Sequence, residues 1–317
     1  MAARAGADPL AGLTVLERGW LSSNNVLIHA GPGEAGAVLV DSGHALHAAQ
    51  TVALVRQALA TAGGTPLARV LNTHLHSDHC GGNAALQQSF GVPVAVPPGE
   101  AAAARAWNEA ALSHHLTQQQ LPRFSVDALL PDGVQSLVAG GRAWDVIAAP
   151  GHDPHSVMLF DPAAGVLLSA DALWEHGFGV VFPELAGEPA FDDVEAVLDT
   201  IARLPVRIVV PGHGAPFDRV GPALSEARSR LAAFRADPRR HARHALRVLV
   251  KYHVMEQGPQ PLEALLRWAG TTPLLALVWQ RFAPPGAHSL HEWVTQQVAE
   301  LVDAGVLGRD GDTLVDA

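Results

Sequence analysis

Three amino acids that often take part in catalysis occur only once each in the chain: cysteine at Cys80, lysine at Lys251 and tyrosine at Tyr252. A single cysteine excludes a disulfide within the chain, which fits a reducing cytoplasm. We interpret Cys80 as a small buried residue rather than a nucleophile. Every other fixed cation must be an arginine, and no tyrosine hydroxyl is available before residue 252.

Long apolar runs are also missing. No stretch approaches about 18 residues without a charge or a helix breaker, so we expect no membrane span. Residues 1–9 are small and polar and lack the basic start and apolar core of a signal peptide, which predicts a cytoplasmic protein. The net charge of −10 is unfavourable for general binding of nucleic acid.

The 317 residues suffice for one large domain and a small second one. Strands are predicted at 13–18, 25–29, 37–40, 68–72, 134–149, 156–169 and 207–210, and helices at 45–61, 83–90, 100–116 and 191–204. Residues 223–251 are helical by pattern and basic, with eight basic against two acidic residues and a net charge of +6. Asp237-Pro238 interrupts this segment and sets the predicted boundary between domains 1–238 and 239–317.

The second domain is predicted to be small, helical and winged-helix-like. A helix with Leu290, Val294, Val298 and Leu301 on one face precedes a hairpin that turns at Asp310-Gly311. This terminal part is acidic, whereas a DNA-reading wing is normally basic. We therefore expect the domain to shape a substrate pocket, with basic residues such as Arg239 and Arg243 meeting an anionic substrate tail.

Histidine is abundant, at 17 residues, and its spacing is not random. The segment 73–83 reads THLHSDHCGGN and follows a predicted strand. His74 and His76 are two apart, so they point the same way in an extended backbone, while Asp78 and His79 reach a second position from the turn. Imidazole and carboxylate are ligands that suit zinc and similar metals.

Three later polar residues each follow a predicted strand in the same manner: His152 in Pro150-Gly151-His152, Asp171 in Ser169-Ala170-Asp171, and His213 in Pro211-Gly212-His213. Loops after strands are where a rigid sheet presents ligands. Together with the first cluster, they predict a composite metal site.

These motifs resemble the metallo-β-lactamase superfamily over about residues 13–238. The resemblance implies an α/β fold, an αββα four-layer sandwich with metals at one end, and a site for two divalent ions. By position, it implies that His74, His76 and His152 bind the first ion, that Asp78, His79 and His213 bind the second, and that Asp171 bridges them. It also implies that Asp41 orients ligands without binding metal.

The expected cofactor is a pair of zinc ions, with iron or manganese as alternatives. Two cations about 3.5–4 Å apart hold a bridging water as hydroxide near neutral pH, and this hydroxide attacks a carbonyl or phosphoryl centre. Asp78 is predicted to take the proton or steer the nucleophile, and His176 to donate a proton to the leaving group. Trp174 and Phe178 are candidate pocket residues, as are Trp107, His114 and His115, for which ordinary packing is the alternative.

The favoured function is hydrolysis of an ester, thioester or lactone of a small anionic substrate. The main alternative is a nucleic-acid module, either a ribonuclease or phosphodiesterase or an RNA binder that uses the winged helix. A further alternative is a mononuclear iron persulfide dioxygenase, which keeps the same histidines, whereas diiron reductases would have Glu in place of His76. Asp153 and His155 replace the more common residues after His152 and bring extra charge and a titratable ring beside it, so the substrate stays open. The oligomeric state, a homo-oligomer included, also stays open.

Overall fold

The computed structural model describes residues 8–112, 114–131 and 135–317. The predictions made for residues 1–7, for position 113 and for Val134 concern positions outside these ranges. The strands are β1 Leu13–Leu16, β2 Asn25–Ile28, β3 Ala37–Val40, β4 Leu67–Leu71, β5 Val94–Val96, β6 Ala128–Leu129, β7 Gln135–Ala139, β8 Arg142–Ala148, β9 Val157–Asp161, β10 Val166–Ala170, β11 Ile208–Pro211, β12 Gln260–Pro261, β13 Leu307–Asp310 and β14 Thr313–Asp316.

The helices lie between and after these strands. They are α1 Ala48–Thr61, preceded by a 3₁₀ turn at Ala45–His47, then α2 Ser77–Cys80, α3 Asn83–Phe90, α4 Pro98–Ala106, α5 His114–Thr117, α6 Phe182–Ala186, α7 Phe191–Arg203, α8 Val220–Ala236, α9 Pro238–Gln257, α10 Leu262–Thr271, α11 Pro273–Phe282 and α12 Leu290–Asp303. Within the described residues, no helix is both long enough and apolar enough to span a bilayer.

Two sheets form the centre of the molecule. The first has the strand order β1-β2-β3-β4-β5-β6 and the second the order β11-β10-β9-β8-β7. Their residues alternate between two apolar environments, because successive side chains of a strand point to opposite faces. In β2, for example, Val26 and Ile28 belong to the core between the sheets, whereas Leu27 packs under the helices.

The helices cover both outer faces. Helices α1, α3 and α4 pack on the first sheet through residues such as Val55, Leu86 and Ala104. Helices α7 and α8 pack on the second sheet through residues such as Leu198 and Leu231. Full burial of each large aliphatic side chain stabilises the fold by about 1.5–3 kcal/mol. The order helix, sheet, sheet, helix agrees with the predicted four layers.

The predicted helix over 100–116 is wrong. Helix α4 ends at Ala106, where Trp107 adopts a left-handed conformation with φ 55°. The Asn108 amide then closes the turn on the Ala103 carbonyl at 2.9 Å. This is a Schellman-type ending, for which glycine is the usual residue. The chain resumes a helix only at α5.

The C-terminal part has a core of its own, built from α9 to α12 and a small sheet of order β12-β14-β13. The predicted interruption at Asp237-Pro238 is confirmed: α8 ends at Ala236, and the Asp237 side chain caps α9 by accepting from the Arg239 amide. The predicted hairpin is present as β13 and β14, paired from Leu307↔Asp316 to Asp310↔Thr313. Val180 and Leu185 of the sandwich pack into this second core.

Candidate metal centre

The candidate ligands gather at one edge of the two sheets, because each follows the carboxyl end of a strand. His74 follows β4, His152 follows β8, Asp171 follows β10 and His213 follows β11. Strands β3 and β4 are parallel neighbours in the first sheet, and β10 and β11 are parallel neighbours in the second. The loops from these pairs therefore emerge side by side.

The first cluster consists of His74, His76 and His152. His76 Nδ1 lies 3.1 Å from His74 Nε2 and 2.8 Å from His152 Nε2. One nitrogen from each ring falls within 4.8 Å of the others. All three side chains are largely buried, so three imidazole nitrogens face one another in a space that water barely reaches.

The second cluster consists of Asp78, His79, Asp171 and His213, and one ligand-type atom from each again lies within 4.8 Å of the others. His213 Nε2 is 3.0 Å from Asp78 Oδ2, and His79 Nε2 is 3.4 Å from Asp171 Oδ1. The other oxygen of Asp171, Oδ2, is 3.2 Å from His152 Nε2 of the first cluster. The Asp171 carboxylate thus lies between the two clusters.

Hydrogen bonds behind the clusters fix which nitrogen each ring presents. His79 Nδ1 contacts Asp41 Oδ2 at 2.8 Å, and His152 Nδ1 contacts the Val180 carbonyl at 2.6 Å. Both rings therefore carry a proton on Nδ1 and direct Nε2 at the site, where a bound metal would take the lone pair of that nitrogen. Such partners orient metal-binding histidines and raise their basicity. Asp41 is held in turn by the Thr73 amide and hydroxyl, at 2.9 and 2.8 Å.

The two clusters differ in the charge of their side chains. Burial, and then the neighbouring imidazoles, lower the pKa of His74 and His76 well below the ordinary value, so both rings are neutral. Burial opposes the charge on His79, but the carboxylates of Asp171, Asp41 and Asp78 raise its pKa well above normal. The His79 charge in turn lowers the pKa of Asp171 against the opposing effect of burial. The second cluster is thus an anionic cage that favours a cation.

The residues fit metal ions on structural grounds. His79 Nε2 is buried without a hydrogen-bond partner although it points at two carboxylates. A buried polar atom of this kind is costly unless something binds it. The position before His213 must also be a glycine, because a Cβ at Gly212 would lie 2.2 Å from Asp171 Oδ1. The composition of both clusters is typical of dinuclear metallohydrolases.

A cavity of about 540 Å³ opens onto both clusters. Trp20 and Trp174 stand at one side, with the Trp20 ring stacked on His213 at 5.4 Å and Trp174 edge-on to it at the same distance. Helix α9 forms much of the wall of the cavity, through residues that include Leu249, Tyr252 and Met255. The C-terminal part of the chain therefore lines the cavity in front of the metal clusters.

The other predicted pocket residues differ in position. His176 lies at the rim, with 76% of its side chain exposed and Nδ1 3.0 Å from Glu226. Phe178 is buried in the core of the second sheet instead of lining the cavity. Trp107 packs edge-on against Phe124, and His114 Nε2 bonds the Leu75 carbonyl at 2.8 Å, so both have structural packing roles.

Asp153 lies behind the first cluster. One of its oxygens is 3.8 Å from His76 Nε2, the nitrogen that faces away from the other two imidazoles. It also accepts from the His155 amide at 2.8 Å. Burial raises the pKa of the Asp153 carboxyl. Asp153 therefore contacts a predicted ligand from behind, whereas the sequence suggested only additional charge.

Tyr252 is the main feature that sequence reasoning missed. Its hydroxyl lies 3.0 Å from Ser77 Oγ, in the middle of the HLHSDH motif, although the two residues are 175 positions apart. Burial raises the pKa of the Tyr252 hydroxyl well above normal, so it keeps its proton. Gln119 holds the same segment by accepting from the Ser77 amide at 2.6 Å. The rarity of tyrosine in this chain was the only available signal.

A four-layer sandwich that carries one cluster of histidines and one of histidines and aspartates at one edge has the ligand composition of a binuclear metal site. The Metallo-beta-lactamase superfamily profile matches residues 18–213, which is more than half of the chain. The chain belongs to this superfamily.

Two curated relatives are named hydroxyacylglutathione hydrolase. The one from Anaeromyxobacter dehalogenans (strain 2CP-C) is 33% identical over 186 residues, which cover 56% of this chain and 63% of that protein. The one from Rhodobacter capsulatus is 34% identical over 151 residues, covering 46% of this chain and 48% of the relative. The chain thus matches about half to two-thirds of the length of these relatives.

A solved structure extends the fold comparison to nearly the whole chain. A metallo-beta-lactamase family protein from Thermus thermophilus superimposes with a TM-score of 0.57, covering 98% of this chain and all of that one at 22% identity. At this identity the similarity concerns the fold, including the C-terminal part, and leaves the substrate open.

Proposed function

We propose that the protein is a metal-dependent hydrolase of a small-molecule ester, thioester or lactone. His74, His76 and His152 would hold one ion, and Asp78, His79 and His213 a second, with Asp171 shared between them. When bound, such a pair of ions supplies a hydroxide nucleophile at neutral pH and stabilises the oxyanion that forms on the substrate. The nitrogen and carboxylate donors suit zinc, with iron and manganese as alternatives.

The remaining residues of the site prepare this chemistry. Asp41 and Val180 hold His79 and His152 in their ligating orientation. Asp78, only partly buried and 3.0 Å from His213 Nε2, is proposed to accept or steer the proton of the attacking water. His176, at the rim and in hydrogen-bond contact with Glu226, is proposed to deliver a proton to the leaving group.

The observation that carries the proposal is the position of the cavity. It joins both clusters to a largely apolar space of about 540 Å³, a size that suits a small organic substrate. We propose a thioester as the first choice, since relatives over the catalytic region are named for hydrolysis of an acylglutathione. We further infer that α9 to α12 and the β12–β14 sheet form a winged-helix-like module that closes this pocket.

The proposed setting is the cytoplasm. Cys80, the one cysteine of the chain, is buried, and its Sγ contacts the Leu75 carbonyl at 3.3 Å. Such a thiol packs as a small apolar group and needs no oxidising compartment.

The test is turnover of a panel of substrates by enzyme reconstituted with zinc, iron or manganese. The panel contains acyl thioesters, aryl esters, lactones, phosphodiesters and RNA. We expect thioester or ester turnover that requires metal and disappears in Asp171→Ala. Turnover restricted to phosphodiesters or RNA would overturn the proposal.

Nucleic-acid processing is the second candidate, because four arginines cluster along α8 and α9 beside the cavity. Retention of single-stranded RNA with a steep salt dependence would favour it. A persulfide dioxygenase would use one iron, and the second complete cluster favours the hydrolase over it. Oxygen consumption with a glutathione persulfide by the iron-loaded protein would reverse that preference.

A further inference from the structure

A groove of about 460 Å³ runs along helices α8 and α9, outside the metal centre. Four guanidinium groups line it: Arg230 from α8, and Arg240, Arg243 and Arg247 from α9. The three on α9 share a side of the helix, since residues three and four apart are neighbours on its surface. Glu226 is the one acidic residue among the described residues that line the groove.

Two of the four groove arginines lack the ion-pair partners that other arginines of the same region have. On α8, Arg228 pairs with Asp199 at 2.8 Å, and Arg235 pairs with Glu195 at 2.7 Å. By contrast, no carboxylate of the described residues lies within ion-pair distance of Arg240 or Arg243. Like charges gathered with few counter-charges repel one another, so the groove favours an anion from outside the chain.

The other two guanidiniums have only distant partners. Arg230 is 3.8 Å from Glu226, and Arg247 is 3.7 Å from Glu300. The positive charges also affect His244. Burial, and then the charges of Arg230 and Arg247, lower the pKa of its imidazole to about 4. At neutral pH its imidazole is uncharged and adds a hydrogen-bonding group to the groove.

The groove continues into the catalytic cavity. Arg230, His244 and Arg247 line both spaces. Along α9, Arg247 lies five residues and Arg243 nine residues before Tyr252, whose hydroxyl touches the metal-binding segment at Ser77. At a rise of 1.5 Å per residue, the backbone positions of these arginines lie about 8 and 14 Å from that of Tyr252 along the helix axis.

We propose that this groove binds the phosphate end of a phosphorylated carrier arm, so that the substrate is an acyl thioester whose non-reacting part ends in one or more phosphates. The inference rests on the proposed hydrolase function and names its substrate class. A guanidinium donates two parallel hydrogen bonds to two oxygens of a phosphate. Four guanidiniums offer more donors than one carboxylate can accept from. Because the groove and the metal clusters are different parts of one continuous space, an arm must join the phosphate to the scissile carbonyl.

A small phosphorylated ligand fits better than a nucleic acid strand. The groove gathers four guanidiniums, whereas the protein as a whole carries −10. The terminal helix and hairpin are acidic at Glu300, Asp303, Asp310 and Asp312. A strand of RNA would need a basic track beyond the groove to contact successive phosphates.

The test compares two thioesters that differ only in a phosphate, S-acetyl pantetheine and S-acetyl phosphopantetheine. The variant Arg240→Ala/Arg243→Ala removes two exposed guanidiniums of the groove. The control Arg219→Ala/Arg239→Ala removes two exposed charges at the starts of the same two helices that do not line it. Circular dichroism checks that both variants fold.

We expect the wild type to prefer the phosphorylated thioester in kcat/KM. In the groove variant, the ratio of the two kcat/KM values should fall about tenfold for each arginine removed, because a charge-assisted hydrogen bond contributes about that factor. Its activity on S-acetyl pantetheine should stay unchanged, and the control should behave as the wild type. Equal kcat/KM for both thioesters in the wild type would overturn the proposal and leave the hydrolase function standing.

Calorimetric titration with inorganic pyrophosphate tests the groove without turnover. Weaker pyrophosphate binding in the groove variant, with unchanged binding in the control, supports the proposed phosphate site. If neither thioester is cleaved in that case, the proposed hydrolase function is wrong but the phosphate site stands. Equal binding in wild type and groove variant refutes it. Loss of RNA retention in the groove variant, with pyrophosphate binding unchanged, would reassign the groove to RNA.

Discussion

Asp41 offers a sharp test of how the second metal position is built, since it touches a ligand without being one. Its carboxylate accepts three hydrogen bonds, from the Thr73 amide, the Thr73 hydroxyl and His79 Nδ1, all between 2.8 and 2.9 Å. In Asp41→Asn the charge is lost, and a side-chain amide faces the N–H of His79. We expect His79 to lose its fixed orientation.

The expected magnitude follows from that contact. Loss of a partner that orients a metal-binding histidine typically weakens metal binding by about 10- to 100-fold, which corresponds to roughly 1.4–2.8 kcal/mol. One ion of the pair should be affected, because the first cluster makes no contact with Asp41. Competition with a chromogenic chelator measures the two binding steps separately.

A matched control separates this effect from general loss of stability. Asp161 is also buried, accepts from the Ala163 amide at 2.9 Å and pairs with Arg142 at 3.0 Å, but lies away from the clusters. Asp161→Asn should lower the free energy of unfolding and leave both metal affinities unchanged. Two wild-type affinities in Asp41→Asn, or equal effects of the two variants on metal binding, would refute the reasoning.

Three further predictions concern the site and the helix that closes it. Asp78→Ala and His79→Ala should abolish hydrolysis with an unchanged circular dichroism spectrum, and a near-wild-type rate in either would contradict their assigned roles. Tyr252→Phe removes the hydroxyl that meets Ser77 and should lower kcat/KM by about tenfold at unchanged metal content, the usual worth of one hydrogen bond; an unchanged kcat/KM would make Tyr252 a packing residue. Burial lowers the pKa of His241 from 6.5 to about 3, so below pH 6.5 the unfolded chain binds a proton that the folded chain does not. The free energy of unfolding should therefore fall by about 1.4 kcal/mol per pH unit below about pH 6, and His241→Gln should remove that part of the slope in chemical denaturation.

The features that sequence alone predicts are local. The strand ends at His74, His152, Asp171 and His213 are recognisable because a short apolar run stops at a glycine or at a polar residue. The alternation of Val26, Leu27 and Ile28 between two cores is a direct consequence of the strand period. Such patterns need no knowledge of distant contacts.

The features that sequence misses depend on contacts between distant parts of the chain. Tyr252 reaches Ser77 only because α9 packs across the front of the sandwich, and no local pattern encodes that crossing. The end of α4 at Trp107 was missed since a left-handed tryptophan replaces the glycine that usually marks such a turn. The groove could not be predicted because it forms only where α8 and α9 lie side by side. That arrangement places Arg243 in the groove and leaves the exposed Arg239 outside it.

Seven side chains are proposed to hold two metal ions in the buried clusters onto which the cavity opens. Elemental analysis of protein saturated with zinc, combined with a crystal structure of the same sample, tests it most directly. We predict two ions per chain, one bound by His74, His76 and His152 and one by Asp78, His79 and His213, with Asp171 in contact with both. A fully loaded site with one ion, and with Asp171 and His213 unbound, would contradict the claim.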